Sequence, residues 1–286
     1  MDSEIKKKTL LAVLAHPDDE SFGTGGTLAL YAQRGVNVFL VCATRGEAGD
    51  MDADCLDGFQ SVAERREHEL RCAAEKLGLA GVYFLGYHDS GMPGSPYNQH
   101  PQALVAAPLD EVAGRVVEYI RLLKPEVVIT FDPIGGYRHP DHIAIHNATV
   151  KAFDAAGDAQ QFPGDLPAYQ PQKLYFQTIS KRLLRIAVRI LPWFGKDPHK
   201  FGRNEDIDLV DIASAEFPTH AVVNYRSALP QKTEASICHD SQGGGNMRKG
   251  VMGWVMRVVG TKETYMRAYP PPQNGVVEKD LFAGVA

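Results

Sequence analysis

Short apolar runs recur along the first half of the chain, at residues 10–15, 36–43, 82–85 and Val127–Phe131. Each is bounded by polar or glycine residues and is short enough to be a strand buried on both faces. Between them lie longer stretches whose apolar positions recur at helical spacing: Gly25–Gln33, Val62–Leu77 and Leu109–Leu123. The second of these is the clearest. Leu70, Ala73, Ala74 and Leu77 fall on one face, Arg65, Glu67, Arg71 and Glu75 on others, and Gly78 stops the helix as a left-handed cap. Alternating strands and helices with short connections predict an α/β fold, a Rossmann-like and mostly parallel sheet covered by helices on both faces. Ligands in such sheets bind outside the carboxyl edge of the strands.

The second half is less regular. Pro140 suits the first turn of a helix running to about Ala155, and a Gly/Pro/Gln-rich loop over 157–172 leads into a strand at 173–177. The basic amphipathic stretch from Lys181 to Leu191 reads as a helix packed on the sheet, or as one lying on a membrane surface or covering a substrate. Residues 195–211 read as an inserted loop, 222–240 as a mixed helical region and 242–246 as a glycine hinge. With no internal repeat and no clear linker, the expectation is one domain over 1–286, with a variable region near 157–225 and a C-terminal extension over 243–286.

The ends of two strands carry the chemistry. The first apolar run closes on Ala15-His16-Pro17-Asp18-Asp19-Glu20, and the run Val127–Phe131 is followed closely by His139-Pro140-Asp141-His142. Charged groups at the tip of a buried strand are costly unless compensated, and a divalent cation compensates them directly. Taking His16, Asp19 and His142 as ligands gives a His₂Asp site with a corner left for water, and its single negative charge leaves a zinc ion net positive. Iron(II) or cobalt would suit the same donors. Asp18 is then the candidate general base. His139 is the candidate acid or oxyanion-side donor, oriented by Asp141 or by another carboxylate. The plainer alternative makes His16 a structural histidine and Asp18 with Asp19 an N-cap pair for the Gly25–Gln33 helix.

Composition narrows the classes. A net charge of −5 gives no support to nucleic acid or anionic lipid as the main partner. Four cysteines without a C-x-x-C spacing read as reduced, structural thiols of a cytoplasmic protein, and the N-terminal apolar stretch before His16 is too short for a signal peptide. A homo-oligomer is compatible with this composition. Other catalytic templates fail: His68-Glu69 is followed by Cys72 where a zincin has histidine, no G-x-S-x-G occurs, and Gly23-Thr24-Gly25-Gly26 is not a dinucleotide fingerprint.

The pair of His/Asp clusters resembles the PIG-L/LmbE-like family of zinc-dependent N-acetylglucosamine de-N-acetylases. The resemblance extends to Thr44-Arg45-Gly46-Glu47-Ala48-Gly49, to the helix from Arg66 through Glu69 to Gly78, to the loop Leu85-Gly86-Tyr87-His88-Asp89-Ser90-Gly91, and to Lys232, Ala235, His239, Ser241 and Gln242. It implies zinc on His16, Asp19 and His142, Asp18 as base, and His139 with Asp141 as an assisting pair. It also implies Arg66 and Asp89 as contacts to sugar hydroxyls of a small amino-sugar substrate. Glu20 and Glu47 read as groups orienting the ligands. His239 reads either as a neighbour of the site or as a helix-surface residue. The function this implies is hydrolytic removal of an N-acetyl group. Hydrolysis of another amide or ester, or metal and sugar binding without turnover, are the alternatives.

Overall fold

The computed structural model describes residues 7–179, 181–200, 208–245, 261–273 and 275–286. Five strands run parallel: β1 (Thr9–Leu14), β2 (Asn37–Thr44), β3 (Gly81–Tyr87), β4 (Val127–Phe131) and β5 (Lys173–Thr178). Two more, β6 (Ala221–Asn224) and β7 (Lys262–Tyr269), complete a sheet of order β3-β2-β1-β4-β5-β7-β6, with β7 antiparallel to both of its neighbours. β1 lies between β2 and β4, and Leu10 through Ala15 are wholly buried. Burial on both faces is why this strand reads as an unbroken apolar run.

The helices are α1 (Asp19–Phe22), α2 (Gly25–Gln33), α3 (Val62–Leu77), α4 (Leu109–Leu123), α5 (Gly135–Arg138), α6 (Pro140–Ala155), α7 (Lys181–Ile190), α8 (Leu209–Ser214) and α9 (Leu229–Cys238). α2, α3 and α9 pack as one layer, α4 and α6 as another. α3 starts where Ser61 Oγ accepts from the Glu64 N–H at 3.1 Å and stops at Gly78, whose φ of 75° needs no Cβ. No helix among the described residues is long and apolar enough to cross a membrane.

Three expectations are corrected. Residues 222–240 are not helical throughout: β6 precedes α9. Residues 262–269, expected in a C-terminal extension, form β7 inside the sheet, and the tail behind it packs on the N-terminal half. There Leu281 and Phe282 are buried and the Tyr31 hydroxyl donates to Asp280 at 2.7 Å. The reading of four reduced thiols fails for two of them, since Cys72 on α3 and Cys238 at the end of α9 form a disulfide. No short-range motif could signal a bridge spanning 166 residues. Cys42 and Cys55 are free.

Candidate metal centre

His16 lies two residues beyond the end of β1, Asp19 opens α1, and His142 sits in the first turn of α6, which follows β4. Neighbouring parallel strands thus deliver the two sequence clusters to one point on the carboxyl edge. His16 Nδ1 lies 3.2 Å from His142 Nε2, Asp19 Oδ2 lies 3.5 Å from His16 Nδ1, and Asp19 Oδ1 lies 3.3 Å from His142 Nε2. Four ligands at ~2.0–2.1 Å in a tetrahedron stand about 3.4 Å apart, so the two nitrogens, and the Asp19 carboxylate with one oxygen towards each, lie at the spacing of ligands around one ion.

The outer hydrogen bonds fix which nitrogens face that point. His16 Nε2 lies 3.0 Å from Asp141 Oδ2 and 3.3 Å from Asp89 Oδ1, so its N–H belongs there. His142 Nδ1 donates to the Gly135 carbonyl at 3.2 Å. The two inner nitrogens therefore stand 3.2 Å apart, with room between them for either a proton carried by His16 or a cation. Such an approach is repulsive unless positive charge lies between them. The surrounding charge agrees: burial opposes a proton on His16, yet Asp89, Asp141 and Asp19 together raise its affinity for one well above the ordinary histidine value. Burial likewise opposes charge on Asp19, but His142 and His16 hold it well below the usual carboxylate range. The donor set suits a divalent cation.

Two other groupings share His16. His139 lies close enough to join His16 and His142, and Asp89 with Asp141 gathers around His16. In the second grouping the carboxylates face Nε2, the nitrogen whose proton they accept, so they orient His16 instead of sharing an ion with it. In the first, His139 Nδ1 accepts the Asp141 N–H at 3.2 Å as the N-cap of α6. That leaves His139 Nε2 for the cavity. Burial, His16 and His142 all push His139 towards the neutral form.

These contacts change several expectations. Asp141 is brought to the site, but its carboxylate accepts from His16 and from the Ser90 N–H at 2.9 Å; it does not orient His139. Asp18 and Asp19 do not cap α2, whose N-cap position is Thr24, and Asp18 occupies the N-cap position of α1 without a side-chain capping bond. Asp18 instead adopts φ 122°, a strained conformation for a residue with a Cβ. Glu20 holds it there: Oε2 accepts the Asp18 N–H at 3.0 Å while Oε1 pairs with His239 Nε2 at 2.7 Å, both side chains fully buried. His239 is thus a neighbour of the site and not a surface residue. Glu20 orients the Asp18 peptide, and Glu47 Oε2 accepts the Asp89 N–H at 3.1 Å, so neither touches a ligand directly.

Arg66 is buried and aimed inward. It donates to the Pro17 carbonyl at 2.6 Å, the Gly46 carbonyl at 3.0 Å and Asp18 Oδ2 at 3.1 Å; it makes no pair with Glu69, which binds Arg65 and Ser241. Gly46 and Gly49 permit this approach, since a Cβ on either would fall within 2.5 Å of Arg66 Nη1. Burial raises the Asp18 carboxyl to about 6 against the lowering pull of Arg66. Asp89 Oδ1 accepts from the Gly91 N–H at 2.8 Å and faces His16. Asp18, Arg66, Asp89 and His139 all line a cavity of about 910 Å³, whose wall also includes Tyr97 and Tyr137. Tyr137, which the sequence reading did not single out, stands edge-on to His142 at 5.0 Å; its only signal was its place two residues before His139.

A family model described as GlcNAc-PI de-N-acetylase (PIG-L) matches residues 11–153, β1 through most of α6. Two relatives named 1D-myo-inositol 2-acetamido-2-deoxy-alpha-D-glucopyranoside deacetylase are each 36% identical to this chain. The one from Acidothermus cellulolyticus covers 97% of this chain and 95% of its own length, and the one from Geodermatophilus obscurus 82% and 83%. The chain belongs to the PIG-L family. Its fold agrees with solved PIG-L-like architecture: N,N'-diacetylchitobiose deacetylase from Pyrococcus horikoshii superposes with a TM-score of 0.62 at 19% identity, over 92% of this chain and 84% of that one. The PIG-L match contains every residue of the centre described above, whereas Glu20's partner His239 lies outside it.

Proposed function

We propose that this PIG-L enzyme hydrolyses the N-acetyl group of an N-acetylglucosamine-type sugar, with a neutral polyol glycoside of the kind named for its relatives as the substrate class. The observation that carries the reading is the convergence of His16 Nδ1 and His142 Nε2, 3.2 Å apart, beside the buried Asp19 carboxylate. These three residues would hold zinc, and iron(II) or cobalt suits the same donors. A dication bound there polarises the amide carbonyl and acidifies water.

The chain's own groups supply the rest. Asp18, ionised and held by Arg66, takes a proton from the water whose oxygen attacks the acetyl carbon. His139 Nε2–H, available because Nδ1 is committed to the α6 cap, donates to the developing oxyanion. The C–N bond then breaks, the amine leaves with the proton delivered by Asp18, and acetate remains. Asp89, which lines the cavity and whose Oδ1 is taken by Gly91 and His16, accepts a sugar hydroxyl through Oδ2, while Arg66 acts chiefly by fixing Asp18. A cytoplasmic location is part of this reading, and the Cys72–Cys238 bridge is the feature it must accommodate.

The test is acetate release from N-acetylglucosamine, its inositol glycoside and N,N'-diacetylchitobiose, with metal content measured on every preparation. Asp18→Asn should keep its metal and lose most turnover; His142→Ala should lose both. Equal metal loss in the two variants, or no acetate from any glucosaminide by metal-replete protein, overturns the proposal.

A further inference from the structure

The Lys181 to Leu191 stretch is not absorbed by the deacetylase reading. α7 leaves β5 at its carboxyl end, on the sheet edge that carries the metal centre, and runs into a 3₁₀ turn over Leu191–Phe194 that Gly195 closes at φ 70°. At that tip Trp193 is 86% exposed and Phe194 76%, with Ile190 and Ile179 exposed behind them. Two adjacent large aromatics so fully in water on one turn are not a satisfied surface. Charge sets the surroundings. Residues 181–200 contain six lysines and arginines and one acidic residue, within a chain of net charge −5. Arg185, Arg189, Lys196 and Lys200 are exposed, Arg185 beside Glu216.

We propose that this tip is an interfacial anchor for an anionic lipid bilayer. Tryptophan and phenylalanine on an exposed turn suit the headgroup boundary, where an amphipathic ring gains without needing a complementary pocket. Flanking basic side chains match a negative lipid surface, each contributing about fivefold to partitioning. The location gives the contact a purpose. α7 packs on α8, whose Asp211 binds Arg138 of α5, next to Tyr137 and His139 of the cavity. Docking through the tip holds the cavity's edge of the sheet at the membrane.

The measurement is flotation of the full chain with phosphatidylglycerol-containing vesicles against phosphatidylcholine-only vesicles, at low and high salt. In a Trp254→Phe background the fluorescence of Trp193 reports burial directly, since the chain has two tryptophans. Binding is expected only to the anionic vesicles, with a blue shift, and is weakened by salt. Trp193→Ser with Phe194→Ser should abolish the shift, and Arg189→Ala with Lys196→Ala should weaken partitioning about 25-fold. Both pairs should retain deacetylation of a soluble sugar, so failure here is separable from failure of the proposed activity. Absence of wild-type binding, binding indifferent to both pairs, or concentration-dependent self-association abolished by Trp193→Ser overturns the proposal, the last by showing the tip to be an interface between copies.

Discussion

Glu20→Ala is expected to destabilise the protein by about 3–5 kcal/mol, because it leaves His239 as a buried charge without its partner. Three contacts are lost: His239 Nε2 at 2.7 Å, the Ser21 hydroxyl at 2.5 Å and the Asp18 N–H at 3.0 Å. His239 has no second refuge, since its Nδ1 is buried without a hydrogen-bond partner. Glu20→Gln keeps an acceptor for the Asp18 N–H but removes the charge, so it separates the two effects. In the wild type, burial lowers the His239 pKa but Glu20 more than restores it, and the net shift is upward. A raised folded pKa stabilises fully below the unfolded value of ~6.5 and loses that contribution as pH climbs through the folded value. Urea unfolding followed from about pH 6 to about pH 9 should therefore show falling stability in the wild type from this source, and none of that slope in Glu20→Gln. A double-mutant cycle with His239→Ala should give a coupling of more than about 1 kcal/mol. If Glu20→Ala costs under about 1 kcal/mol, or the two changes are simply additive, the buried pair does not do what its geometry says.

Other outcomes follow from the same contacts. Turnover should fall as pH drops through the Asp18 pKa, at or below about 6 once a dication is bound, and Arg66→Ala should move that acid limb upward because it removes the pull that lowers Asp18; a limb that stays put refutes the pairing. Gly135→Ala would place a Cβ 2.8 Å from His142 Cβ at a backbone φ of +65°, so zinc titration should show affinity weakened about 10–100-fold. Closing a loop of 166 residues constrains the unfolded chain, so Cys72→Ser with Cys238→Ser should lower stability by up to about 5 kcal/mol in the urea transition.

What the sequence disclosed followed from local physics. β1 and β4 were legible because burial on both faces demands an unbroken apolar run, and α3 because its face, cap and stop all agree. The convergence of the candidate donors was legible because charge at a buried strand tip needs an explanation. β7 was not: its Lys-Glu-Thr-Tyr-Met-Arg-Ala-Tyr alternation mixes charge into a strand near the open end of the sheet, where only β5 and β6 reveal its place. The role of Asp141 was misread for a similar reason. Its carboxylate follows His139 in sequence but meets His16, a residue 125 positions away. Adjacency along the chain says little about which imidazole a carboxylate will serve.

The seat of β7 orders the assembly of the molecule in time. Residues 262–269 fill the gap between β5 and β6, and the Glu263 carboxylate takes the Gly26 and Thr27 N–H groups at the mouth of α2, just after the Asp18 turn. The proposed cation donors are all synthesised before residue 143, yet the brace on the neighbouring helix emerges more than a hundred codons later. On the ribosome, a nascent chain carries the donors early but with a sheet still missing an inner strand, and β6 waits unpaired for its neighbour to arrive.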